Sequence, residues 1–231
     1  MLHMPRIPEL AQRDRFIRRA VAEGRVLTLA DEENASVPSQ KVTGRTVQLF
    51  WSSPIEAGRW AEALAGNKEL QEIALQTFVA DILPGIGKAK GLVGTDWVSD
   101  PIEAEVDARD LEIRLKAEAL PAYVKDLGGR TEVFLVAGDH GPVLTPPAQK
   151  GASGTLSVFL DRSEAERHMK LISGKKVTAD PISNFLASTL PWAVGCGHPI
   201  SVEPIRGAGF IEMKSQDLIG RLASSRDAAL S

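Results

Sequence analysis

The chain has few of the residues from which disulfides and metal sites are built. Its 231 residues include one cysteine, Cys196, and four histidines that are scattered along the sequence. A lone cysteine excludes an internal disulfide, and metal sites built from His and Cys need several ligands at short, recurring spacings. The sequence therefore predicts no disulfide, no metal and no cofactor.

Neither sign of charge is in large excess. The chain carries 27 basic and 30 acidic residues, for a net charge of −3 and a pI near 5.9. Binding along a polynucleotide backbone depends on a strong positive field, which such a chain does not supply. We therefore expect no nucleic-acid partner.

Long apolar runs are absent too. The most apolar stretch, residues 73–86, is interrupted by Gln76, Asp81 and Pro84, whereas a membrane-spanning helix needs about 20 predominantly apolar residues. Residues 1–8 lack the apolar segment of a secretory signal. These features predict no membrane partner and a cytoplasmic location.

What the chain does contain is the composition of an ordinary folded protein. Hydrophobic residues make up 43% of it and charged residues 25%, which excludes wholesale disorder. A chain of this length has room for two domains of about 110 residues, each able to bury its own core.

The sequence repeats itself at an offset of 107 residues. The segment 78–84 aligns with 185–191, with identical Phe, Ala, Leu and Pro, and 109–115 aligns with 216–222 at Asp, Leu, Arg and Leu. The strand-like segment 26–30 aligns with 133–137 at the same offset. Self-similarity of this kind predicts a tandem duplication, with a first domain at 1–118 and a second, diverged domain at 119–231.

Each copy predicts the element order α-β-β-α-α-β-β-α. The first two strands of each copy are expected to form a hairpin, and Pro84 and Pro191 are expected to end the helices before them. Hairpins and paired helices favour an antiparallel or mixed sheet with helices packed on it. The predicted fold class is α+β.

Two segments invite a catalytic or phosphate-binding interpretation. The glycine-rich segment 85–91 follows a helix and leads into a strand, which is the reverse of a phosphate-binding loop and favours a helix end and a connection. Cys196 and His198 are two residues apart, but the sequence nominates neither a group to orient the imidazole nor an oxyanion donor. We predict no catalytic residues and a protein that is not an enzyme.

The charge pattern between residues 96 and 112 distinguishes the two copies. Seven acidic residues and one basic residue lie there, and the matching stretch of the second copy is almost balanced. An alternation of aliphatic and acidic residues predicts that Glu103 and Glu105 share one strand face, beside the turn that carries Asp96, Trp97 and Asp100. These five residues form the predicted partner-binding surface. The alternative is a solvated strand face with acids at a helix start.

Several segments of the first copy resemble an uncharacterised bacterial family, the domain of unknown function 2750. They are the strand end at 47–53, the helix with Ala57 and Trp60, and segments 78–84, 92–97, 105–107 and Leu111. In the second copy, the strand end at Val158 and Phe159 followed by a Glu-Ala helix is also similar to SseB-type domains. The resemblance implies a small bacterial domain of helices and strands and brings no established activity.

Together these features predict a non-catalytic bacterial protein-binding module. Immunity-type or regulatory proteins are the specific forms considered, by analogy of class, with the acidic surface of the first copy docking a basic partner such as a toxin domain. An enzyme or a small-ligand-binding protein with an unrecognised site is the alternative. The oligomeric state is left open.

Overall fold

A computed structural model describes residues 7–30, 36–63, 69–98, 103–147, 153–172 and 174–230. The chain divides into two compact units. The first comprises Met1–Ala119 together with Ile205–Gly209, and the second comprises Leu120–Pro204 together with Phe210–Ser231. The sequence predicts a boundary between residues 118 and 119, and it does not predict that the short segment Ile205–Gly209 belongs with the first unit.

The first unit alternates helices with short strands. In chain order its elements are α1 (Ile7–Glu23), β1 (Arg25–Leu29), β2 (Ser36–Pro38), β3 (Thr46–Phe50), α2 (Pro54–Ala63), β4 (Leu70–Ala74), α3 (Leu75–Thr77), a π-helical turn (Phe78–Ile82), α4 (Leu83–Lys88), β5 (Leu92–Thr95), β6 (Glu105–Asp107) and α5 (Ala108–Gly129). Helix α5 begins in the first unit and ends in the second.

Strand pairing in the first unit corrects the predicted hairpin. Strand β1 pairs antiparallel with β4 as a two-stranded ribbon. The bridge between Leu27 and Trp51 and the bond from the Thr28 hydroxyl to the Leu49 carbonyl join β1 to the end of β3. Strand β3 lies in a four-stranded sheet of order β2-β3-β5-β6, where its contact with β5 is parallel. The hairpin prediction was wrong because it overlooked β4, a five-residue strand between two helical segments that takes the place next to β1.

The second unit follows the same plan. Its elements are β7 (Glu132–Gly138), β8 (Gly141–Pro142), β9 (Leu144–Thr145), β10 (Thr155–Ser157), α6 (Arg162–Met169), β11 (Lys176–Pro181), α7 (Ile182–Asn184), a second π-helical turn (Phe185–Thr189), α8 (Leu190–Gly195), β12 (Ile200–Val202), β13 (Ile211–Met213) and α9 (Ser215–Leu230). Strand β7 pairs antiparallel with β11, and the sheet β9-β10-β12-β13 has a parallel contact between β10 and β12.

Both prolines that were expected to stop a helix lie inside one. The backbone N–H of Leu83 donates to the carbonyl of Phe78, and that of Leu190 donates to Phe185, five residues back in each case. Proline has no N–H and its ring clashes with the carbonyl four residues earlier in a regular α-helix. The wider π turn before each proline relieves this conflict, so the helix continues to Lys88 or Gly195.

Each unit has its own buried core. In the first unit Phe16, Phe50 and Phe78 meet above the sheet, with the Phe50 and Phe78 ring centres 4.7 Å apart. A second cluster in that unit surrounds the fully buried Trp51. The second unit buries a cluster around Leu127, Leu156 and Phe185. Within the described residues, no helix combines the length and hydrophobicity that crossing a membrane would need.

Candidate functional site

Most of the predicted acidic docking surface lies inside the first unit. Asp96, Trp97 and Glu103 are 0%, 3% and 6% exposed. Glu105 is partly buried, and Asp100 falls outside the described residues. Three of the five residues of the predicted partner-binding surface are therefore buried, which is also at odds with the alternative of a solvated strand face.

The indole of Trp97 explains part of this burial. Its Nε1 donates to the carbonyl of Ala104 at 2.8 Å, and its own carbonyl accepts from Nε1 of Trp51 at 2.8 Å. The indole also lies against Gly94, where a side-chain Cβ would come within 2.9 Å of the ring nitrogen. Trp97 therefore turns back onto its own strand and fills the core instead of facing a partner.

Glu103 and Glu105 do not project together. The Glu103 carboxylate accepts from Nε2 of Gln12 at 2.7 Å and from the backbone N–H of Val98 at 2.8 Å. The Glu105 carboxylate accepts from the Ser39 hydroxyl at 2.5 Å and from the N–H of Gln40 at 3.0 Å. Strand β6 begins only at Glu105, so the strand alternation on which the shared face depended does not extend to Glu103.

Asp96 occupies the point where the parallel strands β3 and β5 end. Its carboxylate accepts from the backbone N–H of Ser52 at 2.6 Å and from the Ser52 hydroxyl at 2.8 Å. The Nε of Arg15 is 3.9 Å away, beyond hydrogen-bonding distance. Burial raises the pKa of Asp96, whereas the Ser52 bonds act in the opposite direction. Its backbone is left-handed, with φ of 52°, a conformation that aspartate and asparagine tolerate best among non-glycine residues.

Replacing Asp96 with asparagine is expected to stabilise the first unit at neutral pH, by on the order of 1 kcal/mol. A carboxyl whose folded pKa is raised binds a proton more tightly when folded, so the parent loses stability as the pH rises above the ordinary value of 3.8. Asparagine keeps an acceptor for Ser52 and tolerates the positive φ. Urea unfolding between pH 4 and 8 should show the variant's advantage growing with pH.

Alanine at position 96 is the matching control. It removes both hydrogen bonds and disfavours the left-handed backbone, so we expect a loss of about 2–3 kcal/mol at pH 4. The loss should shrink as the pH rises, because alanine also lacks the carboxylate whose ionisation destabilises the parent. An Asp96→Asn variant that is destabilised at pH 7, or a gap from the parent that does not vary with pH, would show that the ionised carboxylate stabilises the fold.

The second unit places a histidine where the first has a tryptophan. His168 packs against Phe159 with ring centres 5.3 Å apart, much as Trp60 packs against Trp51 at 6.2 Å. Its Nε2 lies 3.4 Å from the hydroxyls of both Ser157 and Thr145, and burial lowers its pKa. Ser157 is only 4% exposed. A long, shared contact to a buried hydroxyl is a poor geometry for activating a nucleophile.

Cys196 and His198 do not face each other in a paired geometry. Cys196 is exposed, and the His198 ring lies 5.1 Å from the ring of Trp192, with Nδ1 3.1 Å from the carbonyl of Gly154. Within the described residues, no group of three His, Cys, Asp or Glu side chains is arranged to hold a metal ion.

A cleft of about 500 Å³ opens in the first unit, and one of about 310 Å³ opens at the equivalent place in the second. We call them the ribbon cleft and the Asp180 cleft. Each lies along the ribbon strands, β1 with β4 or β7 with β11, and the π-helical turn. At the offset of 107, six residues that line the ribbon cleft align with six that line the Asp180 cleft. The aligned pairs are Thr28 with Leu135, Gln71 with Thr178, Glu72 with Ala179, Ile73 with Asp180, Thr77 with Asn184, and Ile82 with Thr189.

The two clefts differ at all six of these positions, and one of the differences places a buried carboxylate in the Asp180 cleft. Ile73 in the ribbon cleft corresponds to Asp180, which is 6% exposed. The Asp180 carboxylate accepts from the side-chain amide of Asn184 at 2.5 Å and from the Thr189 hydroxyl at 2.7 Å. In the described part of the chain no cation pairs with it. Sequence reasoning missed this residue because the strand that carries it, β11, was not predicted.

Helices packed on small antiparallel and mixed sheets define an α+β protein, which confirms the predicted fold class.

Residues 13–115 match the model of the family described as "Protein of unknown function (DUF2750)". This match confirms the family resemblance predicted for the first copy. The likeness of the second copy to SseB-type domains stays a prediction.

Comparisons with whole proteins add no functional information. No curated protein matches the chain. Among solved structures, Tic22 from Plasmodium falciparum shares 11% identity with a TM-score of 0.24, over 83% of this chain and 93% of that one. Tic22 from Anabaena, described as a protein-transport structure, shares 12% identity with a TM-score of 0.25, over 83% of this chain and 92% of that one. Scores this low carry no argument about this chain.

Proposed function

We propose that the protein is a non-catalytic, cytoplasmic protein-binding module of bacteria, of the immunity or regulatory type. Its partner is a basic protein, which inserts a lysine or arginine side chain into the Asp180 cleft. The observation that carries this proposal is the Asp180 carboxylate, which is buried at the wall of a cleft and forms no ion pair among the described residues. This location replaces the acidic surface of the first copy, whose residues are largely buried.

Charge complementarity supports a cationic occupant. Asn184 and Thr189 each donate to a different oxygen of Asp180, which holds the carboxylate in place and leaves it capacity to accept further bonds. The exposed Asp139 also lines the cleft, in an ion pair with Lys175. Lys176 lines the cleft too, four residues before Asp180 on the same strand. An ion pair formed at a buried carboxylate is screened by water and salt much less than a pair on the surface.

A tandem duplication is part of the proposal. Support comes from the shared order of elements, the parallel strand contact inside each four-stranded sheet, and the π-helical turns at 78–82 and 185–189. Duplication followed by divergence would give two equivalent clefts with different linings, as Ile73 and Asp180 illustrate. A module of this kind binds different groups at equivalent places.

The non-catalytic part of the proposal is supported by the state of the reactive groups. Ser157 is buried and shares His168 with Thr145 at 3.4 Å, and His198 is engaged by Trp192 and the carbonyl of Gly154. Neither arrangement provides the short contact from nucleophile to base that acyl or phosphoryl transfer requires.

Selection from a random hexapeptide library against the immobilised full chain tests the proposal. We expect lysine- or arginine-containing peptides to be enriched, and their affinity to fall about tenfold or more in the Asp180→Asn variant. Asparagine can still accept from Asn184 and donate to Thr189, so the fold should be retained, which a thermal melt checks.

Asp126→Asn is the matched control, because it removes the same charge from an exposed site of the second unit where Asp126 pairs with Arg130. It should leave peptide affinity unchanged. Enrichment of peptides without basic residues, or equal binding by the parent and Asp180→Asn, would contradict the proposal.

A further inference from the structure

A third cleft, in the first unit, is lined by cations and by no acid. It has a volume of about 390 Å³ and lies between the turn that precedes β3 and the end of α4. Arg45 and Lys90 are its charged lining residues, with Thr46 and Gln48 as polar neighbours. Neither cation has a side-chain hydrogen bond or an ion-pair partner within the described residues. We call this the Lys90 cleft.

The backbone at Lys90 is unusual. Its φ is 56°, in the left-handed region where a side chain is strained and glycine is not. The equivalent position of the second unit, 107 residues later, is Gly197 with φ of 69°. Both residues follow the end of a helix, where a glycine is the usual choice. A lysine at this position therefore makes the fold less stable than a glycine would. Residues with unfavourable backbone dihedral angles of this kind cluster at functional sites.

Main-chain donors do not supply a phosphate-binding loop in this cleft. The N–H groups of Ala89, Lys90 and Gly91 donate to the carbonyls of Gly85, Gly87 and Ile86 and so end the helix. This agrees with the sequence-based interpretation of residues 85–91 as a helix end and a connection. The N–H groups of residues 89–91 are therefore not free to bind an anion in the Lys90 cleft, and the charged donors there are the side chains of Arg45 and Lys90.

We propose that the Lys90 cleft binds a small molecule through its phosphate group, held between Arg45 and Lys90. The guanidinium fork of arginine matches the geometry of phosphate oxygens, and the lysine ammonium adds a point charge beside it. The Thr46 hydroxyl and the Gln48 amide are further donors in the lining. A volume of about 390 Å³ falls in the range of small-molecule sites. Two cations on a chain of net charge −3 do not favour a polynucleotide.

Titration of the full chain with inorganic pyrophosphate, followed by calorimetry at low salt, tests this site. The parent should bind with a measurable dissociation constant below 10 mM, roughly the weak end of specific binding. Lys90→Gly should weaken binding about tenfold or more and raise Tm by about 2–4 °C, because it relieves the left-handed strain. Arg45→Gln should weaken binding without raising Tm. A variant that binds less and folds better separates a ligand role from a structural one.

Lys125→Gln is the matched control, because it removes the same charge from an exposed helix position in the second unit. It should change neither affinity nor Tm. Binding that is absent in the parent, unchanged in Lys90→Gly, or lost equally in Lys125→Gln would overturn the proposal. A Tm of Lys90→Gly below that of the parent would also overturn the proposal. The same holds if a single-stranded oligonucleotide binds the parent more tightly than pyrophosphate does. These outcomes are independent of the Asp180 cleft, so the two proposals can fail separately.

Discussion

Replacing Gly94 with alanine is expected to destabilise the first unit by about 3 kcal/mol, since overpacking a filled core typically costs 1–3 kcal/mol. A Cβ at this position would come within 2.6 Å of a Leu49 methyl and 2.9 Å of the Trp97 ring nitrogen. The Trp97 indole cannot move aside without breaking its bond to the Ala104 carbonyl. Urea unfolding followed by tryptophan fluorescence measures the change, because three of the four tryptophans, Trp51, Trp60 and Trp97, lie in the first unit and only Trp192 lies in the second.

Gly58→Ala is the control for this substitution and should act in the opposite direction. Gly58 lies inside α2, and a Cβ there would meet no atom within 4 Å. Alanine in a helix interior is favoured over glycine by about 0.5–1 kcal/mol. Equal changes in the free energy of unfolding for Gly94→Ala and Gly58→Ala would show that the contact between Trp97 and Gly94 does not limit the size of the side chain at position 94.

The second large effect is expected at Ile205. This residue lies in the second half of the chain, yet it is 6% exposed within the core of the first unit, where Ala208 joins it. Truncation of a buried isoleucine to alanine leaves a cavity and costs about 2–5 kcal/mol. We expect Ile205→Ala to lower the urea midpoint reported by the three tryptophans of the first unit.

Ile113→Ala makes the same chemical change on an exposed side chain. Ile113 is 57% exposed on α5, so its truncation should alter stability by less than about 0.5 kcal/mol. Similar losses in the two variants would mean that the segment Ile205–Gly209 does not contribute to the first core.

Sequence patterns predicted those helices and strands whose defining residues lie close together in the chain. The strand-like segments 26–30 and 133–137 and the helices predicted before Pro84 and Pro191 all agree with the structure. Strands β4 and β11 were missed because each follows a helix by only a few residues and runs directly into the next helical turn. Such short strands are defined by their partners, β1 and β7, which lie more than 35 residues away.

The candidate sites were less predictable than the fold. Charge counting singled out residues 96–105, but a carboxylate can be buried where a Gln12 amide or a Ser52 N–H satisfies it. Nothing in the sequence around Asp180 marked a cleft, and the order of elements around segment 85–91, which contains Lys90, favoured a helix end and a connection over a phosphate site. Asp180 depends on an unpredicted strand, and the φ of Lys90 is set by the helix end before it.

The sequence by itself determined the α+β class, the internal similarity at an offset of 107 and most helices, because these follow from hydrophobic periodicity and capping residues close together in the chain. Only the tertiary structure decided which strands pair, how the helices pass Pro84 and Pro191, and which charges are buried. Those outcomes depend on contacts between distant segments, such as Leu27 with Trp51 or Gln12 with Glu103. Buried polar groups find their hydrogen-bond partners on distant segments when the chain packs, and a local sequence pattern does not specify those partners.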